Sequence, residues 1–303
     1  MPKFQNDDQN GADMKRAVEL VEPPGGTTTP LIFASPHSGR HYPADFLRLS
    51  RLDRHGLRQS EDGYVDLIFD DAPRFGAPFL RALFPRAFVD VNRSANELDP
   101  RMFADALPAD TDMRSSRVQA GLGVIPRIVA DGHDIYARKL KYLEAKGRLK
   151  TCYEPYHQAL RAMADKAISK FGCAVIIDCH SMPSASGGPL ALGQPQIDFV
   201  LGDRFSTSCA TSLTSLTEQT LAKLGYSVSR NAPYAGGYVA SAYGAPAQGV
   251  HVLQIEINRA LYLDEKRLAR TAGFEELREK MQTLMYDLTR LDPLALAPVI
   301  AAE

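Results

Sequence analysis

The sequence predicts an α/β sandwich, and two observations support that fold class. Short, continuous apolar runs recur along the chain, as is typical of strands that are covered on both faces. Amphipathic stretches with apolar residues at helical spacing lie between these runs. Strands and helices that alternate in this way pack as layers of helices on a sheet.

Six apolar runs are predicted to form strands. The first, Leu31-Ile32-Phe33-Ala34, is stopped by Ser35-Pro36 and has the length of a short buried strand. The other five cover residues 77–83, 87–91, 173–179, 197–201 and 249–257. Because these runs are continuous rather than alternating, we expect helices on both faces of the sheet.

Four stretches, at 62–71, 134–170, 205–224 and 265–291, are predicted to be helical. We expect the second of them to be broken near Pro155, since proline removes a helical hydrogen bond. The last places Phe274, Leu277, Met281 and Leu284 on one face. Residues 94–133 show no regular pattern and are rich in Arg, Asp, Gly and Pro, which indicates an active-site loop or lid.

Composition excludes several classes of protein. Lys and Arg number 35 against 36 Asp and Glu, so the net charge is −1 and gives no support to nucleic-acid or membrane-surface binding. No apolar run has membrane-spanning length, and we expect neither a membrane span nor a signal peptide. Its four cysteines include no C-x-x-C pair, so neither a disulfide framework nor a thiolate zinc site is expected. These features predict a cytoplasmic protein in which histidines supply any metal chemistry.

The polar start of the chain sets the predicted domain boundary. We expect residues 1–20 to be a disordered segment, because their first part is polar and aperiodic. Residues 21–303 are then predicted to form a single α/β hydrolase domain. Oligomeric state is not predicted from these features.

Polar side chains cluster at the carboxyl ends of four apolar runs. His37 follows the first run, Asn92-Arg93 the run at 87–91, and His180 the run at 173–179, while Glu256 lies inside the last one. Ligands of open α/β sheets bind beyond the carboxyl ends of the strands. This arrangement therefore favours a hydrolytic metal site over a set of hydrogen-bonded core polar residues.

Each of these residues also has a structural explanation. A single histidine after a strand is more often hydrogen-bonded than a metal ligand, although Pro36 and Gly39 build a turn that would present His37 outward. Asp178 is a candidate partner that would orient His180. Glu256 is either half of a buried ion pair with Arg93 or Arg259, or a general base whose pKa is raised by burial.

Other catalytic motifs are weak. Gly236-Gly237 is too short for a phosphate-binding loop, and a flexible loop that brings Tyr234 or Tyr238 to the site is the better interpretation. Ser38 and Ser181 lack the G-x-S-x-G pattern of a nucleophile elbow. The remaining five histidines show no ligand spacing, so we expect structural or surface positions for them.

Five short blocks occur in the order of a known family. They are Pro36-His37-Ser38-Gly39, Asp90-Val91-Asn92-Arg93 with Glu97-Leu98, Pro155-Tyr156-His157, Asp178-Cys179-His180-Ser181 and Gln254-Ile255-Glu256-Ile257-Asn258-Arg259. Between about residues 30 and 265 the chain thus resembles the N-formylglutamate amidohydrolase (N-formylglutamate deformylase) family. That family is distantly similar to zinc carboxypeptidases and aspartoacylases, which implies a three-layer α/β/α sandwich with a mixed, mostly parallel central sheet.

The resemblance implies a set of metal ligands. His37 and His180 would bind one Zn²⁺, although other divalent metals suit the same ligands. Asp62 would be the carboxylate ligand, with Glu61 as the alternative, and acidic residues are also common in the first turn of a helix for electrostatic reasons.

The resemblance also implies the catalytic and substrate-binding residues. Glu256 would be the general base, Arg93 would stabilise the oxyanion or bind a substrate carboxylate, and Asn92 would contact the substrate. Beyond the resemblance, Arg40 and the loop residue Tyr238 are further candidates for contact with the substrate. A dicarboxylate calls for a second arginine, for which the candidates are Arg40, Arg117, Arg127 and Arg259.

The implied reaction is attack of a metal-activated water on N-formyl-L-glutamate, which gives formate and L-glutamate in histidine degradation. Its partner would be a small acidic N-acyl amino acid, with no nucleic acid and no membrane. Two alternatives stay open on the residues alone. An N-acyl-amino-acid or small-peptide amidase would use the same site, and a non-catalytic metal- or amino-acid-binding protein would keep its geometry without the reaction.

Overall fold

A computed structural model describes residues 16–129, 132–187 and 196–297 of the chain. Seven strands form one sheet, with the spatial order β1-β3-β2-β4-β7-β5-β6. The strands are β1 (Val18–Val21), β2 (Leu31–Ser35), β3 (Phe79–Ala82), β4 (Ala174–Met182), β5 (Phe199–Gly202), β6 (Val228–Arg230) and β7 (Val250–Asn258). A separate antiparallel pair is formed by two short strands of two residues each, β8 (Leu263–Asp264) and β9 (Ala269–Arg270).

The sheet is mixed and mostly parallel, as predicted. The four central strands β3, β2, β4 and β7 run parallel to one another, and β6 is parallel to β5. Two pairs are antiparallel, β1 with β3 and β5 with β7. The parallel centre brings the carboxyl ends of β2, β4 and β7 to one edge of the sheet.

Ten α-helices lie in the described part of the chain. They are α1 (Ala44–Leu49), α2 (Arg54–Arg58), α3 (Val65–Ile68), α4 (Ser116–Gln119), α5 (Tyr142–Arg148), α6 (Glu154–Phe171), α7 (Thr211–Lys223), α8 (Tyr238–Tyr243), α9 (Gly273–Leu288) and α10 (Pro293–Leu296). No helix among these residues is both long and apolar enough to span a membrane.

Two apolar clusters cover the two faces of the sheet. Ile32 and Ile176 belong to one cluster, together with Leu160 of α6. Phe33 and Ile177, their neighbours along β2 and β4, belong to the other, with Met281 of α9. Successive strand residues point to opposite faces, so a continuous apolar run is what a strand between two helical layers requires. This explains why the runs at 31–34 and 173–179 do not alternate.

One predicted strand is wrong. The run Ala87–Val91 is buried but forms turns, in which Phe88 bonds back to the Pro85 carbonyl and the Asp90 N–H donates to the Val124 carbonyl. The apolar composition of this run correctly predicted that it is buried. Its backbone, however, forms hydrogen bonds with a distant loop instead of pairing with a neighbouring strand. In the other direction, the edge strands β1 and β6 were not predicted, because they are short and only half-buried.

Helix boundaries differ from the prediction where the backbone is left-handed. Tyr64, at φ 63°, precedes α3, so the helix predicted at 62–71 shrinks to one turn. Arg204, Phe205 and Ser206 all have positive φ, and α7 accordingly begins only at Thr211. The predicted break near Pro155 is confirmed, since a π-helical turn at Leu149–Tyr153 separates α5 from α6. The helix predicted to begin at residue 134 begins at Tyr142.

The predicted N-terminal boundary needs correction. Residues 1–15 of the segment expected to be disordered lie outside the described part of the chain. Val18–Val21 form strand β1 against β3, so the ordered fold begins before residue 20.

Gly39 offers a direct test of how the turn after β2 is packed. A Cβ at Gly39 would lie 2.1 Å from the Phe84 carbonyl oxygen, because the His41 N–H bonds to Leu83 and holds the two segments together. We expect Gly39→Ala to lower the free energy of unfolding by about 2 kcal/mol or more, measured by urea denaturation. The matched control is Gly147→Ala in α5, where a Cβ would meet no atom within 4 Å. It should raise stability by about 0.5–1 kcal/mol. Equal effects at the two positions would contradict this packing.

Candidate active site

The site lies at the carboxyl edge of the parallel strands. His37 follows β2, β4 carries Asp178 and His180, and β7 carries Glu256 opposite His180 in the register. A cavity of about 530 Å³ opens there. Its lining includes His37, Asp62, Arg86, Asp90, Asn92, Arg93, Arg117, His180, Ser181, Tyr234, Gly237, Gln254, Glu256 and Arg259.

Three buried side chains converge at the bottom of this cavity. Oδ2 of Asp62 lies 2.9 Å from Nδ1 of His180 and 3.3 Å from Nδ1 of His37. One ligand atom from each of the three residues lies within 4.8 Å of the others. We call His37, Asp62 and His180 the central cluster.

Each histidine of the central cluster is oriented by a second carboxylate. Nε2 of His37 is 2.8 Å from Oδ1 of Asp90, and Nε2 of His180 is 3.0 Å from Oδ2 of Asp178. A carboxylate behind a ligating imidazole fixes the ring and its tautomer. Both rings therefore donate from Nε2 outward and turn Nδ1 toward Asp62.

The donor set fits a divalent metal ion. Nδ1 of His37 is buried and has no hydrogen-bond partner among the described residues. The other oxygen of Asp62, Oδ1, accepts from Arg259 at 3.1 Å, which leaves Oδ2 for the centre. Two imidazole nitrogens and one carboxylate oxygen form a common ligand set of catalytic zinc sites.

The alternative carboxylate lies elsewhere. Glu61 accepts from the Tyr42 hydroxyl at 2.7 Å and from Nε of Arg58 at 3.0 Å. It therefore belongs to a separate polar group, and the structure brings Asp62 to the two histidines. The two residues are adjacent in sequence, so only the path of the backbone distinguishes them.

Charge is concentrated in the central cluster. Burial alone would raise the pKa of Asp62, but the hydrogen bond with His180 and the nearby His37 imidazole outweigh it and hold that pKa well below its usual value. Burial would likewise lower the pKa of His180, yet Asp178 and Asp62 hold it well above the ordinary range. Positive charge on His180 thus compensates the buried carboxylates around it.

Glu256 faces the same cavity without a cationic partner. Its Oε1 accepts from Nε2 of Gln254 at 2.9 Å, and it makes no ion pair within the described residues. Arg259, a candidate partner, donates instead to Ser181 and Asp62. Burial raises the pKa of Glu256 to about 7, with His180 opposing the shift. The buried ion-pair hypothesis is therefore wrong, and the carboxylate has the pKa of a group that exchanges protons near neutrality.

Asn92 and Arg93 line the cavity, but several of their hydrogen-bonding groups already bond to other groups of the protein. Nδ2 of Asn92 donates to Asp178 at 3.2 Å, and its Oδ1 accepts from the Val239 N–H at 2.8 Å. Nε and Nη1 of Arg93 donate to the carbonyls of Leu122 and Asn92. Nη2 of Arg93, 3.8 Å from Asp90, makes no hydrogen bond with the described residues and is left for a ligand.

Arg40 and Tyr238, predicted to contact the substrate, are not among the lining residues. Arg40 donates to Asp66 at 2.7 Å and stacks over the ring of Tyr64, because the turn after Gly39 points it away from the cavity. Tyr238 packs edge-on against His157, while Tyr234 lines the cavity in its place. Of the other arginine candidates, Arg117 and Arg259 line it, whereas Arg127 pairs with Asp99 and Asp134.

Three lining residues were not predicted as site residues from the sequence: Arg86, Asp90 and Gln254. Asp90 was visible as the first residue of the Asp90-Val91-Asn92-Arg93 block, but its partner His37 is 53 positions away in the chain. Gln254 precedes Glu256 by one full strand period, which places both side chains on one face. Arg86 carried no comparable signal.

Comparison with known proteins shows the family of this chain. The family model described as N-formylglutamate amidohydrolase matches residues 29–263, which include every residue of the central cluster. The chain belongs to the N-formylglutamate amidohydrolase family. A crystal structure of N-formylglutamate amidohydrolase from Ralstonia eutropha JMP134 superposes with a TM-score of 0.85 at 35% identity, covering 92% of this chain and 99% of that one.

Curated relatives of this family member are more distant in sequence. N-formylglutamate deformylase of Pseudomonas putida is 28% identical over 245 residues, or 78% of this chain and 82% of that protein. The enzyme of the same name from Pseudomonas aeruginosa is 29% identical over 242 residues, with 78% and 83% covered. A structure from Agrobacterium tumefaciens, with a TM-score of 0.65 at 16% identity, shares the fold.

Side chains of α6 and of the turn before it hold the Asn92-Arg93 segment of this family member in place. Nε2 of His157 lies 2.9 Å from the Val91 carbonyl, and its Nδ1 is 2.7 Å from the Tyr243 hydroxyl. One turn earlier, just before the helix, the Tyr153 hydroxyl donates to the Arg93 carbonyl at 2.9 Å. The carbonyls on both sides of Asn92 are thereby held by side chains. Burial lowers the pKa of His157 to about 4, so its ring is neutral in the folded protein.

The low pKa of His157 predicts a pH dependence of stability. The unfolded chain takes up this proton near pH 6.5, whereas the folded protein takes it up only near pH 4. Stability from this residue is therefore complete above pH 6.5 and declines between pH 6.5 and 4. His157→Gln cannot take up the proton, so we expect its deficit in unfolding free energy to shrink by about 2 kcal/mol from pH 7 to pH 5. Urea denaturation of both proteins at the two pH values measures this, and a constant deficit would refute it.

Proposed function

We propose that this amidohydrolase cleaves N-formyl-L-glutamate to formate and L-glutamate. The observation that carries the proposal is the central cluster, which opens together with Glu256 into one arginine-lined cavity. Membership of the family supports hydrolysis of a linear amide C–N bond. The names of the Pseudomonas relatives support the formyl substrate.

A metal ion would be held by Nδ1 of His37, Nδ1 of His180 and Oδ2 of Asp62. The nitrogen-rich donor set favours Zn²⁺, although Co²⁺, Mn²⁺ and Fe²⁺ accept similar ligands. When bound, such an ion supplies Lewis-acid chemistry that polarises the formyl carbonyl and acidifies water. Asp90 and Asp178 would keep both imidazoles in the orientation that this binding needs.

Glu256 would move the proton that hydrolysis requires. Gln254 holds Oε1, and Oε2 accepts no hydrogen bond from the described residues. The free oxygen would take a proton from the attacking water and deliver it to the amide nitrogen as the amine leaves. A pKa of about 7 suits both steps, because the group must first accept and then release the same proton.

The positive lining of the cavity matches a dianionic substrate. Arg86, Arg93, Arg117 and Arg259 all line it, and Asp62 and Asp90 neutralise only part of their charge. N-formylglutamate carries two carboxylates at neutral pH, and arginine is the cation best suited to bind a carboxylate. Nη2 of Arg93 would hold the carboxylate attached to Cα, next to the scissile bond.

Two further expectations belong to this proposal. The reaction would serve histidine degradation, since N-formylglutamate is an intermediate expected from that route. The protein would act in the cytoplasm, which the four buried, unpaired cysteines support.

Replacement of the proposed base tests the mechanism. We expect wild-type protein to release formate from N-formyl-L-glutamate, and Glu256→Gln to lower kcat by about 100-fold or more while folding normally. Glu276→Gln, which alters an exposed carboxylate on α9, is the matched control and should keep the wild-type kcat. Wild-type kcat in Glu256→Gln would remove Glu256 from the mechanism. A wild-type enzyme that cleaves N-acetyl amino acids or dipeptides but no formyl substrate would refute the deformylase function.

A further inference from the structure

Four arginine guanidinium groups line the cavity, and they differ in the hydrogen bonds and ion pairs that they make with other groups of the protein. Arg259 donates to Asp62 and Ser181, and Arg86 donates to Asp90 at 3.0 Å. Both of these arginines therefore serve carboxylates or hydroxyls of the protein. Their part in the site is to balance and position the groups around the central cluster.

Arg93 is buried in a region of excess positive charge. Burial lowers its pKa to about 10, Asp90 opposes the shift, and the charges of Arg86 and Arg117 add to it. The charges of Arg86 and Arg117 thus both act on Arg93. Within the described residues, Asp90 is the only carboxylate bonded to any of the three arginines. An anion that enters the cavity would stabilise these neighbouring positive charges.

The backbone holds Arg117 next to Arg93. The Leu122 N–H donates to the Arg117 carbonyl at 2.8 Å, and the Leu122 carbonyl accepts from Nε of Arg93 at 3.0 Å. Helix α4, which carries Arg117, is capped by Ser115 and held at its end by Arg101, which donates to the carbonyls of residues 118 and 119. The position of Arg117 is therefore built into the fold.

Unlike the other three arginines, Arg117 makes no side-chain hydrogen bond or ion pair with the described part of the chain. It is partly exposed and lines the cavity. Its positive charge acts on that of Arg93, which lines the same cavity. All of its donors are thus available to a ligand.

We propose that Arg117 is the specificity-determining residue that binds the side-chain carboxylate of the N-formyl amino acid. This inference rests on the proposed deformylase function. Arg93 is linked to the central cluster through Asp90 and His37, whereas Arg117 is linked only to Arg93, through Leu122. In the substrate the side-chain carboxylate lies two methylene groups beyond the carbon that bears the first carboxylate. The more remote carboxylate therefore meets the more remote arginine.

The experiment compares two substrates that differ only in this charge. N-formyl-L-glutamate and N-formyl-L-glutamine are assayed by formate release with wild-type enzyme, Arg117→Gln and Arg117→Lys. We expect Arg117→Gln to lower kcat/KM for the glutamate substrate by about 100-fold, mostly through KM, because the contact is remote from the reacting bond. The same variant should change kcat/KM for the glutamine substrate less than about threefold. Arg117→Lys should recover part of the loss, since it keeps the charge but not the fork of donors.

Arg114→Gln is the matched control, because Arg114 is exposed on the same segment and does not line the cavity. It should leave both substrates unaffected, and thermal unfolding checks that every variant is folded. An equal loss on both substrates in Arg117→Gln, or no loss on either, would overturn the inference and leave the deformylase function intact. A wild-type enzyme that cleaves neither substrate would refute the proposed function and this inference together.

Discussion

The site depends on one buried carboxylate oxygen. Oδ2 of Asp62 is shared between the Nδ1 atoms of His37 and His180, and all three residues are buried. A buried carboxylate is costly unless opposite charge and hydrogen bonds compensate it, and removing one partner of such a group typically costs about 3–5 kcal/mol. Here Arg259 and Ser181 bond the second oxygen, and two further carboxylates fix the imidazoles. The whole arrangement is stable when a positive charge sits between its members.

The order of the strands supplies these groups in the required places. β2, β4 and β7 are parallel neighbours, so the residues after β2 and at the ends of β4 and β7 meet at one edge. Asp178 lies two residues before His180 and shares its face, so a single strand carries both a ligand candidate and its orienting carboxylate. The irregular run at 87–93 adds Asp90 and Arg93 from the side, and α6 holds that run in place. The proposed catalytic groups thus lie on or beside the most buried part of the sheet, which limits their movement.

Sequence reasoning located the parts of the site that local pattern determines. His37, His180 and Glu256 follow or interrupt apolar runs, and the strand-end rule was sufficient to select them. The choice between Asp62 and Glu61 was not accessible, since it depends on how the backbone turns after α2. The position of Arg40 was not predictable for a similar reason. Its guanidinium donates to Asp66, which lies 26 positions away in the sequence. Arg117 was one of four candidates for the second substrate-binding arginine. Only the tertiary contacts show which of these arginines already form hydrogen bonds or ion pairs with other groups of the protein.

The central claim is that His37, Asp62 and His180 bind a catalytic metal ion. Anomalous diffraction at the zinc edge, from crystals of active enzyme grown with Zn²⁺, tests it most directly. The account predicts one strong peak about 2.0–2.2 Å from Nδ1 of His37, Nδ1 of His180 and Oδ2 of Asp62. No peak among these three atoms in crystals of fully active enzyme would contradict it.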